Sequence, residues 1–242
     1  MRAMVVGATA GLGRALCEEL CAKGYDLLIA SSDEMDLKVL SKHLRIFYGV
    51  NVDFIKLDIS KLNDFLDQWK HLDYEPDYLL FPIGISHIED IGESSYQEII
   101  QLVTTNMVAV MTIISFYIKN IAPKKNATIV GFGSIATIRA RRLNIVYSAS
   151  KKGLEYYFYS LKHKLDASNM IVHFYNLGYL NSQLSYGKKL LIKPSSPKDV
   201  ARVVVKKLES RSNVFMFYPR FWVIIAVTLR IMPWFIFKRI KV

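Results

Sequence analysis

Gly7-Ala8-Thr9-Ala10-Gly11-Leu12-Gly13 decides the fold, because an apolar strand, Met1 to Val6, runs into it and a helical stretch, Arg14 to Lys23, runs out. Glycines at 7, 11 and 13 let the backbone turn sharply and approach a pyrophosphate, whose charge then sits at a helix N-terminus. The spacing, G-x-x-x-G-x-G, differs from the more familiar G-x-G-x-x-G fingerprint. Working outward, apolar strand candidates fall at 2–6, 26–31, 51–58, 77–83, 127–133, 170–176 and 213–218. Helical stretches lie between them at 12–23, 34–45, 61–71, 96–120, 147–167 and 197–210, the last opening on Ser196, Pro197 and Asp199. Strands alternating with helices predict an α/β, doubly wound parallel sheet.

Composition sets the frame around that alternation. No linker, repeat or low-complexity stretch divides the 242 residues, so the expectation is one core domain over 1–218 and a tail over 219–242. The start feeds directly into the first strand, without a signal-peptide organisation. Cys17 and Cys21 stand one helical turn apart and read as small core residues rather than metal ligands or a disulfide, so no metal site is expected. That usage fits a reducing cytosol. The formal charge is +11, yet no nucleic-acid-binding motif or aromatic stacking platform accompanies it.

The chemistry is carried by Tyr147-Ser148-Ala149-Ser150-Lys151, with Ser134 thirteen residues before the tyrosine and Asn106 before both. Positions i and i+4 share a helix face, so Tyr147 and Lys151 point into one cleft. Tyrosine ordinarily titrates near pH 10, and an ammonium one turn away is expected to lower that value. Asn106 falls inside the long fourth helix, where a buried amide calls for a local backbone irregularity and a water.

Together these residues resemble the short-chain dehydrogenase/reductase superfamily, over about residues 1–218. The resemblance implies a Rossmann-like fold and an NAD(P)-dependent oxidoreductase. It gives Ser134 the role of donor to a substrate carbonyl oxygen and Tyr147 that of proton donor. Lys151 is implied to hold the nicotinamide ribose, and Asn106 to position a water that relays protons to it. Gly7, Thr9, Ala10, Gly11, Leu12 and Gly13 would embrace the pyrophosphate. Asp58 and Ile59 stand where the family contacts adenine, Gly84 follows the fourth strand, and Gly178, Leu180 and Ser182 form the turn beside the nicotinamide. Three positions depart from the family pattern, all on the cofactor side: Val6 for a threonine, Phe81-Pro82-Ile83-Gly84 for Asn-Asn-Ala-Gly, and Leu177 for a proline. Eighteen residues beyond Gly13 stand Ser31 and then Ser32, in place of the acid that many NAD-using relatives carry. The two hydroxyls favour NADP(H), with NAD(H) the alternative and Asp33 a competing ribose ligand.

Two features address the substrate. Arg139, Arg141 and Arg142 lie in the loop between Ser134 and Tyr147, where guanidinium forks suit a phosphate; a solvated basic loop is the alternative. The tail runs Phe221 to Leu229, Arg230, then Ile231 to Phe237, and closes on Lys238, Arg239 and Lys241. Arg220, Arg230 and Pro233 interrupt it, so it suits an interfacial segment rather than a span. A dimer contact or a lid is the alternative. Arg139 to Tyr147 and this tail also resemble the decaprenylphosphoryl-2-keto-ribose reductases. That resemblance implies reduction of a 2-keto group on a polyprenyl-phosphate-linked sugar, as the second half of a C2 epimerisation in cell-envelope polysaccharide synthesis. It implies a flavin-dependent oxidase partner and a cytoplasmic, homo-oligomeric enzyme on the inner face of the cytoplasmic membrane. A membrane-associated reductase of another lipid or ketone is the competing reading.

Overall fold

The computed structural model describes residues 1–86, 90–121, 127–181, 192–210 and 212–239. Seven strands, β1 (Arg2–Val6), β2 (Asp26–Ser31), β3 (Val52–Lys56), β4 (Tyr78–Phe81), β5 (Thr128–Ser134), β6 (Ile171–Leu177) and β7 (Val214–Tyr218), form one sheet in the order β3-β2-β1-β4-β5-β6-β7. Every pairing is parallel. The strands therefore read as apolar runs, because both faces are covered. On one face α1 (Gly11–Ala22), α2 (Glu34–Tyr48) and α6 (Pro197–Leu208) close a core around Leu16, Leu37 and Val204. On the other, α3 (Leu62–His71), α4 (Tyr96–Ile121) and α5 (Ile145–Leu165) enclose Trp69, Ile113 and Phe158. The fold is the expected Rossmann-like, doubly wound one.

Differences from the sequence expectation fall at element ends and have local causes. α2 runs on to Tyr48 because Gly49 accepts a left-handed cap. α5 starts two residues early, at Ile145, because acceptors reach its N-terminus from elsewhere in the chain. α4 is long and apolar enough to cross a membrane by length and composition, but Leu102, Val110, Ile113, Ile114 and Tyr117 are buried in the core. After β7, α7 (Trp222–Ile231) and α8 (Trp234–Phe237) fold back against the domain.

Chain order along the sheet reverses between β1 and β4, and a cleft opens at the carboxyl ends of the strands there. Such a switch point is where open α/β sheets bind ligands.

Candidate active site

Six strand ends deliver the lining of one cleft of about 1620 Å³. Gly7, Thr9, Ala10, Gly11 and Leu12 come from the turn after β1, and Ser31 and Ser32 from the end of β2. Asp58 and Ile59 follow β3; Gly84 follows β4. Ser134 closes β5, Tyr147 and Lys151 project from α5, and Gly178 and Leu180 follow β6. Ser182 lies outside the described residues.

The glycine turn is sterically exacting. Gly7 sits at φ +95°, where a side chain is strained, and a Cβ there would come within 2.9 Å of the Ile83 backbone. Gly13 is not a lining residue: a Cβ on it would stand 1.8 Å from the Gly7 carbonyl oxygen, so it is required for the helix to approach the strand. The resulting helix N-terminus and open cleft fit a dinucleotide pyrophosphate. Thr9 and Ser31 share a hydrogen bond at 2.8 Å. Asp58 accepts from the Ser60 amide and hydroxyl at 2.9 and 2.7 Å, which holds its carboxyl below the usual range. Asp33 Oδ1 accepts from the Asp36 amide at 3.0 Å as the cap of α2, and Ser31 and Ser32 rather than Asp33 line the cleft.

Asn106 lies in a π-helical stretch of α4, Thr104 to Val108, and is fully buried. The irregularity matches expectation, and protein groups partner the amide. Asn106 Oδ1 accepts from the Ile85 amide at 2.8 Å, and its Nδ2 donates to the Ile85 carbonyl at 2.9 Å and Ser150 Oγ at 3.2 Å. It stands behind the cleft, not on its wall. The Lys151 ammonium donates to the carbonyls of Ile83 at 3.1 Å and Phe132 at 3.3 Å, which leaves a third donor. A Cβ on Gly84 would meet Lys151 Nζ at 3.0 Å and Asn106 Oδ1 at 3.3 Å, so that glycine lets the two side chains converge.

The electrostatics differ from the sequence expectation. Burial pushes the Lys151 ammonium down to about 8. Burial also raises the Tyr147 phenol above its ordinary value, offset in part by a hydrogen bond with Ser134 and by the charge of Arg141. Lys151 is not among the groups that lower it. At neutral pH Tyr147 is therefore a protonated donor bonded to Ser134, able to pass a proton to an oxygen placed between the two.

The basic loop divides. Arg141 lines the cleft near Tyr147, and its buried Nε has no hydrogen-bond partner among the described residues. Arg139 turns away: its guanidinium donates to the Leu229 carbonyl at 2.6 Å and to the Met232 carbonyl, and lies over the Phe237 ring at 4.3 Å. Arg142, exposed, donates to the Lys238 carbonyl at 3.2 Å. Three convergent arginines are thus corrected to one, because carbonyls at the C-terminal ends of α7 and α8 claim the other two.

Two residues escaped the sequence reading. Lys56 lines the cleft and pairs in register with Ser31 across β2 and β3, a signal visible only once those strands are aligned. Asp90, 1% exposed, caps α5 with its carboxylate on the amides of Val146 and Tyr147. Among the described residues, no group of three His, Cys, Asp or Glu side chains is placed to hold a metal.

A family model described as short chain dehydrogenase matches residues 1–189. This chain belongs to the short chain dehydrogenase family. As a member, the dehydrogenase is an NAD(P)-dependent oxidoreductase. It is 24% identical over 230 residues to a very-long-chain 3-oxoacyl-CoA reductase of Podospora anserina, covering 91% of this chain and 67% of that protein. It is 26% identical over 215 residues to a 3-oxoacyl-[acyl-carrier-protein] reductase of Buchnera aphidicola, covering 88% and 85%. Both of those relatives are ketoreductases by name. Among solved structures, a short-chain dehydrogenase from Sphingobium yanoikuyae in complex with NADPH superposes at a TM-score of 0.82 with 17% identity, over 99% of this chain and 96% of that one. Actinorhodin polyketide ketoreductase with NADPH gives 0.79 at 18% identity, over 91% and 96%. These likenesses establish the fold of the dehydrogenase.

Proposed function

We propose that this dehydrogenase uses NADPH to reduce the 2-keto group of a sugar carried on a polyprenyl phosphate, completing an epimerisation at C2 begun by a flavin-dependent oxidase. The observation that carries the reading is Arg141, a guanidinium in the cleft near Tyr147 whose buried Nε has no partner among the described residues. A buried donor without an acceptor is costly, and a phosphoryl oxygen supplies one. An exposed apolar tail beside the cleft fits a substrate that remains in a lipid leaflet.

The cofactor, when bound, supplies the hydride. Ser134 donates to the ketone oxygen and orients it. Tyr147 delivers a proton to that oxygen as the carbon is reduced. Lys151, held by Ile83 and Phe132, would offer its third N–H to the nicotinamide ribose. Asn106 supports that lysine's surroundings by fixing the Ile85 backbone and the adjoining turn of α5 through Ser150. Ser31, Ser32 and Lys56 together suit a 2′-phosphate: two hydroxyls and a cation line the cleft, and Asp33 does not. This is why NADPH is preferred over NADH in the proposal.

A second reading, a long-chain 3-oxoacyl thioester reductase, draws support from the names of the related proteins. The purified enzyme, given NADPH or NADH, should be incubated with a polyprenylphosphoryl 2-ketopentose, a short-prenyl analogue, and a long-chain 3-oxoacyl thioester. Consumption of reduced nicotinamide with the keto sugar, and its loss in Arg141→Gln, is the expected result. Turnover of the thioester alone would replace the first reading by the second.

A further inference from the structure

The C-terminal helices have two faces, and their sequence has a single sign of charge. On the inner face Trp222, Ala226 and Phe237 are buried. Trp222 occupies the space that a Cβ on Gly178 would need, 2.2 Å from its Nε1, and meets the Tyr179 ring edge-on at 5.8 Å. Gly178 and Tyr179 both line the cleft. Arg139 fastens the far end of α7 to the loop that precedes Tyr147. The helices are thus attached to both segments that flank the substrate end of the cleft.

The outer face is apolar and exposed. Ile224 is 71% accessible, Ile231 76%, Trp234 62% and Phe235 61%, with Val223 and Val227 between them. On α7 the outward residues 223, 224, 227 and 231 fall on one side of the helix, as the 3.6-residue period requires. Arg220, Arg230, Lys238 and Arg239 are exposed around this patch, and no Asp or Glu occurs from 210 to 242. Contiguous exposed apolar surface with a polar rim marks an interaction site.

We propose that this face docks on an anionic lipid bilayer, with α7 lying in the plane of the headgroups and the cleft mouth held against the membrane. Charge decides among occupants. A second copy meeting this face through a two-fold axis would oppose cationic rims with no acidic partner in the segment. An anionic leaflet supplies the counter-charge and accepts Trp234, Phe235 and the aliphatic side chains at the acyl boundary. A span is excluded by length: ten residues of α7 extend about 15 Å, half of a hydrocarbon core. Because Trp222 and Arg139 bind the same helices to the cleft walls, a docked enzyme could draw a lipid-tethered substrate without extracting it from the leaflet. The docking deepens the functional reading above but does not require the proposed sugar.

The test uses the intact protein without substrate, so its outcome is separate from that of the substrate assay. Vesicles of equal parts phosphatidylglycerol and phosphatidylcholine, with brominated acyl chains, are titrated into the enzyme while tryptophan emission is followed. Trp69 and Trp222 are 1% and 6% accessible, so Trp234 is the indole positioned to be quenched. The expected result is quenching with anionic vesicles, weakened at high salt and on pure phosphatidylcholine. Ile224→Asp combined with Phe235→Asp should weaken binding at least about tenfold while turnover of a soluble ketone persists. Absence of quenching in the wild-type protein overturns the proposal whatever the variant does. So does wild-type vesicle binding by a folded variant, or a variant whose only change is dissociation of an oligomer in mass photometry.

Discussion

Both carboxylate oxygens of Asp90 accept hydrogen bonds from the first turn of α5, one from the Val146 amide at 2.9 Å and one from the Tyr147 amide at 2.8 Å. The Asp90 carbonyl adds a third, from the Ile145 amide at 3.3 Å. Three of the four amides that a helix N-terminus leaves unpaired are thereby engaged by one residue from a distant loop. Its negative charge also faces the positive end of the helix dipole.

Asp90→Ala should therefore loosen the placement of Tyr147. Loss of a capping side chain typically costs about 1 kcal/mol, and more when the acceptor is charged and buried. The melting temperature should fall, and kcat should drop about tenfold or more, because small misplacements of a reacting group are expensive. Cofactor affinity should change little, since the pyrophosphate turn lies on another strand. Asp90→Asn, which keeps one acceptor, should recover part of both losses. Wild-type kcat in Asp90→Ala would show that the cap does not position Tyr147.

The contrast between Asp90 and Asn106 explains what the sequence could and could not disclose. The glycine turn, Ser134, Tyr147 and Lys151 are legible because their relations are local, or fixed by the period of a helix or the end of a strand. Asn106 was legible as an amide needing an irregular helix, though its partners in the Ile85 backbone were not. Asp90 acts across 57 residues, and no spacing rule reaches that far. Lys56 joins Ser31 only through strand register. Arg139 and Arg141 are two residues apart, yet one meets carbonyls at the C-terminal end of α7 and the other the cleft. Composition alone treats them as equals. The rise in the Tyr147 pKa was not foreseen for a related reason: burial of the phenol outweighs the hydrogen bond with Ser134 and the charge of Arg141, and burial is not legible in a helical spacing.

Tyr147→Phe removes the proton donor and should lower turnover by about 10²–10⁴ while leaving cofactor binding nearly intact. The pH dependence gives a finer test. Ketone reduction needs the protonated phenol, which burial keeps available through neutral pH. Alcohol oxidation needs the phenolate and should rise with pH. Arg141→Gln removes a charge that lowers the phenol's pKa, so the rising limb for oxidation of a simple secondary alcohol should move to higher pH. An unmoved limb in a folded variant would remove Arg141 from the electrostatics of Tyr147.

Cofactor preference should turn on Lys56 and Ser31. Lys56→Glu places a negative charge beside the two serines and should raise the KM for NADPH about tenfold, with a smaller effect on NADH. Ser31→Asp should act in the same direction. Measuring kcat/KM for both cofactors in each variant checks this. A wild-type enzyme that already prefers NADH would overturn the assignment of this corner to a 2′-phosphate.

Lys151 makes a prediction about stability that does not depend on the substrate. Its pKa falls from an ordinary 10.5 to about 8 in the folded protein through burial. Between those values the unfolded chain binds the proton that the native state has released, so stability from this group rises with pH. Below about pH 8 both states are protonated and the full penalty of burying the charge is present, on the order of 3 kcal/mol for a shift of that size. Above about pH 10.5 both are neutral and the penalty is gone. Lys151→Met abolishes the titration and leaves the Ile83 and Phe132 carbonyls without that donor, a loss that does not vary with pH. The melting temperature of the variant relative to wild type should therefore be highest near pH 7 and decline as pH rises toward 10. Paired thermal denaturation at several pH values reads the difference directly. A constant difference across that range would mean that Lys151 is solvated in the native state, and its placement between Ile83 and Phe132 would have to be abandoned.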